Sequence, residues 1–115
     1  MEDDAATRKL LRSLLEERGC DVDEAVDGQQ AINALTQHDY AVVLLDIVLP
    51  RISGTAVMDF LMQRDPAMLS RVIVVTGLNV DEIRKLFPAV CSALGKPVIP
   101  ARLLKSVDDC LGQVT

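Results

Sequence analysis

Residues 41–54 read AVVLLDIVLPRISG, an apolar run closed by an acid, a proline and a glycine. Five consecutive apolar residues, 41–45, make a run too short for a stable helix and rich in branched aliphatic side chains, which predicts a strand buried on both faces. Asp46 follows at once. Pro50 biases Leu49 away from helical geometry, and Gly54 opens the next periodic segment. Asp46 is thereby expected at the carboxyl end of a central strand, on the rim where open α/β sheets bind ligands. Taken alone, an aspartate before a loop equally closes an Asx turn or caps a helix.

Working outward, residues 5–18 place Leu10, Leu11, Leu14 and Leu15 at helical spacing and end at Gly19, a C′ residue. Residues 20–26, CDVDEAV, predict a weaker strand, and Asp27-Gly28 a turn. Residues 29–37 predict a second helix. After the 41–45 strand, Val57, Met58, Leu61 and Met62 predict a helix over 54–64, stopped by Asp65-Pro66. RVIVVT at 71–76 is a second continuous strand run. A short helix over 79–87 ends at Pro88; residues 89–94 are a poor strand before Gly95-Lys96-Pro97. The last helix starts near Pro100, well tolerated in a first turn. Strands alternating with helices predict an α/β, doubly wound parallel sheet of the flavodoxin-like kind.

Composition narrows the classes. The 115 residues fit one domain over 1–115, half of them hydrophobic and 3% aromatic, so the core is aliphatic. A net charge of -5 argues against a nucleic-acid surface, which needs clustered Lys and Arg. Cys20, Cys91 and Cys110 are odd in number and show no CxxC spacing, so they are expected as reduced, partly buried thiols. The start MEDD has no apolar leader and no run is long enough to span a bilayer, so the expectation is a cytoplasmic chain without membrane contact.

Three strand ends carry polar residues that packing does not ask for: Asp46, Thr76 and Lys96. The acids Glu2-Asp3-Asp4 precede the first helix. Singly, each has an ordinary structural reason, as a cap, a strand residue or a solvated charge. A parallel sheet, however, brings all its carboxyl ends to one rim. Carboxylates gathered there need a cation, and hard oxygen ligands suit Mg²⁺. A lysine and a hydroxyl beside them suit a phosphoryl group.

With those residues in view, the chain resembles the receiver domain of two-component response regulators, of the single-domain chemotaxis type. The resemblance runs through Glu2-Asp3, the D-x-x-L-P-x-x-S-G stretch from Asp46 to Gly54, Thr76-Gly77 and Lys96-Pro97. It implies a (βα)5 architecture and a phosphoacceptor switch in a phosphorelay rather than an enzyme. Asp46 would take a phosphoryl group from a sensor histidine kinase or phosphotransfer protein. Asp3, Asp46 and the carbonyl of Val48 would hold Mg²⁺, with Glu2 acting through coordinated water. Lys96 would pair with a phosphoryl oxygen, Thr76 would donate its hydroxyl to another, and Lys96-Pro97 would be a cis peptide. An unknown downstream protein would read the state. Val48 and Leu78 flank the site and cannot hold an attacking water, which implies slow self-dephosphorylation.

Two departures from the pattern matter. The family's first strand precedes the acidic pair, and here only Met1 does. Losing four buried aliphatic side chains at ~1.5–3 kcal/mol each forfeits roughly 6–12 kcal/mol. The expectation is therefore a sheet lacking most of the first strand, with a homodimer or strand exchange as a way to supply it. The second is Ala93, at the position of the family's switch aromatic. Both favour the alternative of a degenerate receiver that binds partners without phosphorylation. A small phosphohydrolase using Asp, Thr and Lys is the third reading, and Val48 stands where it needs an acid.

Overall fold

The computed structural model describes residues 2, 4–46 and 53–112, without the side chains of 53–55. Asp3 and Val48, both expected at a metal site, lie outside the described residues, as does the loop after Asp46.

The chain opens with helix α1 (Ala5–Glu17), whose N-terminal amides are met by Asp4: its carboxylate accepts from Thr7 N. Gly19, at φ 79°, ends it in the left-handed region that glycine enters without penalty. Asp27 caps α2 (Gly28–Gln37) through Gln30 N. Then come β1 (Val43–Leu45), α3 (Ser53–Arg64), a 3-10 segment (Pro66–Arg71) and β2 (Val72–Thr76). Helix α4 (Val80–Leu86), β3 (Ser92–Gly95) and α5 (Pro100–Gly112) complete the described fold.

Among the described residues the sheet is three-stranded and parallel, in the order β1-β2-β3. Val43 pairs with Val72 and Leu45 with Val74; Ile73 pairs with Ser92 and Thr76 with Gly95. Every residue of β2 is buried, so its alternate side chains enter two cores. Val72 and Val74 join Leu45, Met58 and Leu61 beneath α2, α3 and α4. Ile73 and Val75 meet Leu11, Leu14 and Leu15 of α1 and Leu103 and Val107 of α5 on the other face. That is the doubly wound arrangement expected, with α1 and α5 on one side and three helices on the other.

Three expectations are corrected. The strand ending at Asp46 borders the described sheet rather than lying within it, and only Leu45 of its three residues is buried. Residues 20–26 form no strand; their acidic side chains Asp21, Asp23 and Glu24 are exposed, and the backbone bond that reaches them from the amino terminus is Glu2 N to Ala25 O, at 3.0 Å. A cavity of about 130 Å³ separates residues 20–25 from β1, lined by Leu11 and Leu15 of α1 and Ala31, Ala34 and Leu35 of α2. Lastly, Cys91 and Cys110 are joined by a disulfide, with Cα atoms 6.1 Å apart, and only Cys20 is a free thiol. The 19-residue separation hid the pair: Cys91 leads into β3, and α5 folds back over that strand to place Cys110 beside it.

Candidate functional site

Parallel strands of matched register end together, and the residues just past those ends meet. Leu45 pairs with Val74, two residues before Thr76, and Thr76 pairs with Gly95, one before Lys96. The Lys96 amide donates to the Thr76 carbonyl at 2.8 Å, which carries the lysine round the end of β2. The Lys96-Pro97 peptide is cis, as the resemblance implied.

Lys96 Nζ lies 2.8 Å from Asp46 Oδ2 and 3.1 Å from Glu2 Oε1. Both acids are 2% exposed, and Thr76 is fully buried. So four of the sequence-predicted residues, Glu2, Asp46, Thr76 and Lys96, come to one rim of the sheet. Two carboxylates sharing one ammonium leave a buried excess of negative charge. Among the described residues Asp46 Oδ1 and Glu2 Oε2 accept no hydrogen bond, although Lys96 Nζ stands 3.1 Å from the latter oxygen. Burial raises the Glu2 carboxyl above its usual range, and nearby Asp46 adds to the shift; the bonds from Lys96 and the Asp4 amide oppose it. For Lys96, burial works against the charge, but the hydrogen bonds and charges of Asp46 and Glu2 outweigh it and the pKa is raised.

Such orphaned carboxylate oxygens suit a hard divalent cation, which takes oxygen ligands and neutralises paired acids. Among the described residues no group of three metal-ligating side chains forms, so Glu2 and Asp46 stand as a pair there. Thr76 is held differently from a free strand hydroxyl: its Oγ1 accepts from Leu78 N at 3.0 Å, closing the turn after β2. Leu78 itself packs on the larger core, and Ala93 is buried against it at 1% exposure.

Sequence reasoning missed the support of Glu2. Arg8 Nη1 donates to the Glu2 carbonyl at 3.0 Å and pairs with Glu24 at 3.7 Å; Arg12 bonds Glu24 at 2.8 Å and Glu16 at 3.1 Å. The i, i+4 spacing of Arg8, Arg12 and Glu16 on α1 is legible in the sequence, but Glu24 is not assigned to it without the fold.

Comparison with known proteins agrees with this geometry. The chain is 30% identical over 115 residues to the polar-differentiation response regulator DivK of Brucella anthropi, covering 97% of this chain and 93% of that protein. It is 33% identical over 99 residues to the transcription factor SKN7 of Saccharomyces cerevisiae, 84% of this chain but 16% of that much longer protein. Among solved structures, a sensor protein from Polaromonas sp. JS666 superposes with a TM-score of 0.84 at 26% identity, over 99% of this chain and 94% of that one. The response regulator TrrA of Thermotoga maritima, solved in complex with Mg²⁺-BeF, gives a TM-score of 0.81 at 26% identity, over 95% and 93% of the two chains. No described helix is long and apolar enough to cross a membrane. The family profile described as response regulator receiver domain matches residues 1–108, and the chain belongs to that family of signalling switches.

Proposed function

We propose that residues 1–115 act as one phosphoacceptor domain in a two-component phosphorelay, with Asp46 as the residue that receives the phosphoryl group. The observation that carries this reading is the state of the Asp46 carboxylate. One oxygen is fixed on Lys96 at 2.8 Å while the other, buried, has no hydrogen-bond partner among the described residues. A buried carboxylate oriented by an ammonium and retaining an open oxygen is equipped as a nucleophile.

In the transfer, an Asp46 oxygen bonds to the phosphorus of a phosphohistidine on a kinase or phosphotransfer protein. The P–N bond breaks, its electron pair stays on the imidazole nitrogen, and an acyl phosphate remains on Asp46. Lys96 stays within reach of the new phosphoryl oxygens and neutralises one of them. The Thr76 hydroxyl, now closing the turn to Leu78, is the donor for another. Glu2, Asp3, Asp46 and the Val48 carbonyl are the groups to hold Mg²⁺. Bound there, the ion supplies the positive charge that lets acid and phosphoryl oxygens coexist. The product is a covalent state read by a downstream protein rather than a released molecule, in the cytoplasm.

Incubation with acetyl phosphate and Mg²⁺ followed by intact mass measurement tests it. One added phosphoryl group is expected, absent in Asp46→Asn and reduced at least tenfold in Lys96→Ala. Unchanged labelling in Asp46→Asn would place the chemistry elsewhere. No labelling of the wild-type chain, with Mg²⁺-dependent beryllofluoride binding also missing, would favour phosphorylation-independent partner binding, to which the small buried Ala93 already lends weight.

A further inference from the structure

Cys91 and Cys110 lie at the opposite end of β3 from Lys96, and their bond ties that strand to the last turns of α5. Around that bond, Ser92 Oγ and Ser106 Oγ are 3.2 Å apart and an exposed ion pair joins Arg18 to Asp108 at 3.4 Å. Leu103 and Val107 are buried in the apolar layer over Ile73 and Val75, and the partly buried Leu104 and Leu111 pack against it. The two residues are unequal: Cys110 is fully buried, whereas Cys91 is half-buried just before the strand.

We propose that Cys91 and Cys110 are a reversible thiol–disulfide exchange site that fastens or releases the carboxyl-terminal turns of α5. The reductant is of the dithiol class, and its thiolate attacks Cys91, the more exposed of the two residues. The S–S bond breaks, its electron pair leaves on Cys110, and that sulfur takes a proton. The reductant's second thiolate then attacks its own sulfur in the mixed disulfide, releasing Cys91, which is protonated in turn. Two protein thiols and one oxidised dithiol result. A low-molecular-weight disulfide reverses the sequence by two exchanges and leaves as two thiols.

Burial gives the exchange its direction of approach. A thiolate on Cys110 is disfavoured in apolar surroundings, so the leaving step needs the last turn of α5 to lift. Once the bond is open, Leu103 and Val107 keep the first half of the helix docked while residues 108–112 lose their covalent anchor. The exchange thus changes one helix end and leaves the rim that holds Asp46, Thr76 and Lys96 in place.

The test equilibrates the intact chain in buffers of graded oxidised and reduced dithiothreitol, alkylates with iodoacetamide and weighs it, with hydrogen exchange run in parallel. One alkylated thiol is expected under oxidising conditions and three under reducing ones, interconverting reversibly. On reduction, amide exchange in residues 108–112 should rise by roughly tenfold or more while Val72–Thr76 stays protected. Cys91→Ser should show the fast exchange under every condition. Three alkylated thiols at all potentials, unchanged exchange in α5, or loss of protection throughout the sheet on reduction would each overturn the proposal; the last is read on the wild-type chain and does not depend on the variant folding.

Discussion

Glu2 carries a charge the fold does not favour. Its folded pKa is raised from 4.5, chiefly by burial, so the folded protein binds a proton more tightly than the unfolded chain does. The stability from this group is present below pH 4.5 and is lost as pH rises through the raised folded value. Glu2→Gln keeps an acceptor for Lys96 and for the Asp4 amide while removing the excess charge. It should raise stability at pH 7 by ~1 kcal/mol and flatten the urea midpoint against pH above 4.5. Tyr40, the single tyrosine, offers a direct optical reading. Partial burial and the bond from its hydroxyl to Asp23, 2.7 Å, push its pKa up to about 12 from 10.0. Phenolate absorbance should therefore titrate near 12 in the folded chain and near 10.0 in denaturant, with Asp23→Ala falling between, because burial is the larger cause. Stability from this group holds below pH 10.0 and is lost as pH climbs towards 12. At this scale the sequence was partly readable. Asp46, Thr76 and Lys96 were found because strand runs point them to one rim; Arg8 was not, since its target is a backbone carbonyl that carries no residue signature.

Among the elements, α4 shows how local chemistry alone can specify a helix. Asn79 accepts from the amides of Asp81 and Glu82, acids fill the first turn, and Arg84 and Lys85 fill the last. With seven residues to stabilise, that cap matters, and Asn79→Ala should cost ~1 kcal/mol in chemical denaturation. An unchanged midpoint would mean that Ile83, buried in the larger core, holds the helix without help. The neighbouring β3 is the opposite case. Ser92, Ala93, Leu94 and Gly95 have weak strand propensity, and the strand exists because β2 offers a ladder and Ala93 is small enough to sit against Val74. Residues 20–26 failed as a strand for the complementary reason. Their alternation is real, but among the described residues only the Glu2 to Ala25 bond offers a ladder partner. Asp65-Pro66 was readable as the end of α3, yet the proline also begins the 3-10 segment, a second use of its fixed φ that a stop signal conceals.

For the whole molecule, the layered order of helices around a parallel sheet was readable from alternation alone, while the pairing of Cys91 with Cys110 required the crossover itself. The chain is compact, with a radius of gyration of 12.7 Å against about 13 Å for a domain of this length. Compactness has not filled the space beside β1. The 130 Å³ cavity lies between the two apolar layers, with Leu11, Leu15, Ala31, Ala34 and Leu35 on its apolar side and charged residues such as Arg8, Arg12 and Glu24 also in its wall. Unfilled apolar space forfeits dispersion contacts, so the wall that can be enlarged without strain should report on it. Ala34 is that wall: it lines the cavity from α2, where leucine is nearly as good a helix former as alanine. Ala34→Leu should raise stability by about 0.5–1.5 kcal/mol with an unchanged urea m-value, whereas Leu15→Ala, enlarging the same space from α1, should lower it by roughly 2–5 kcal/mol. If Ala34→Leu destabilises instead, the gap between residues 20–25 and β1 is too narrow for the longer side chain, and the strain of overpacking outweighs the contacts it makes.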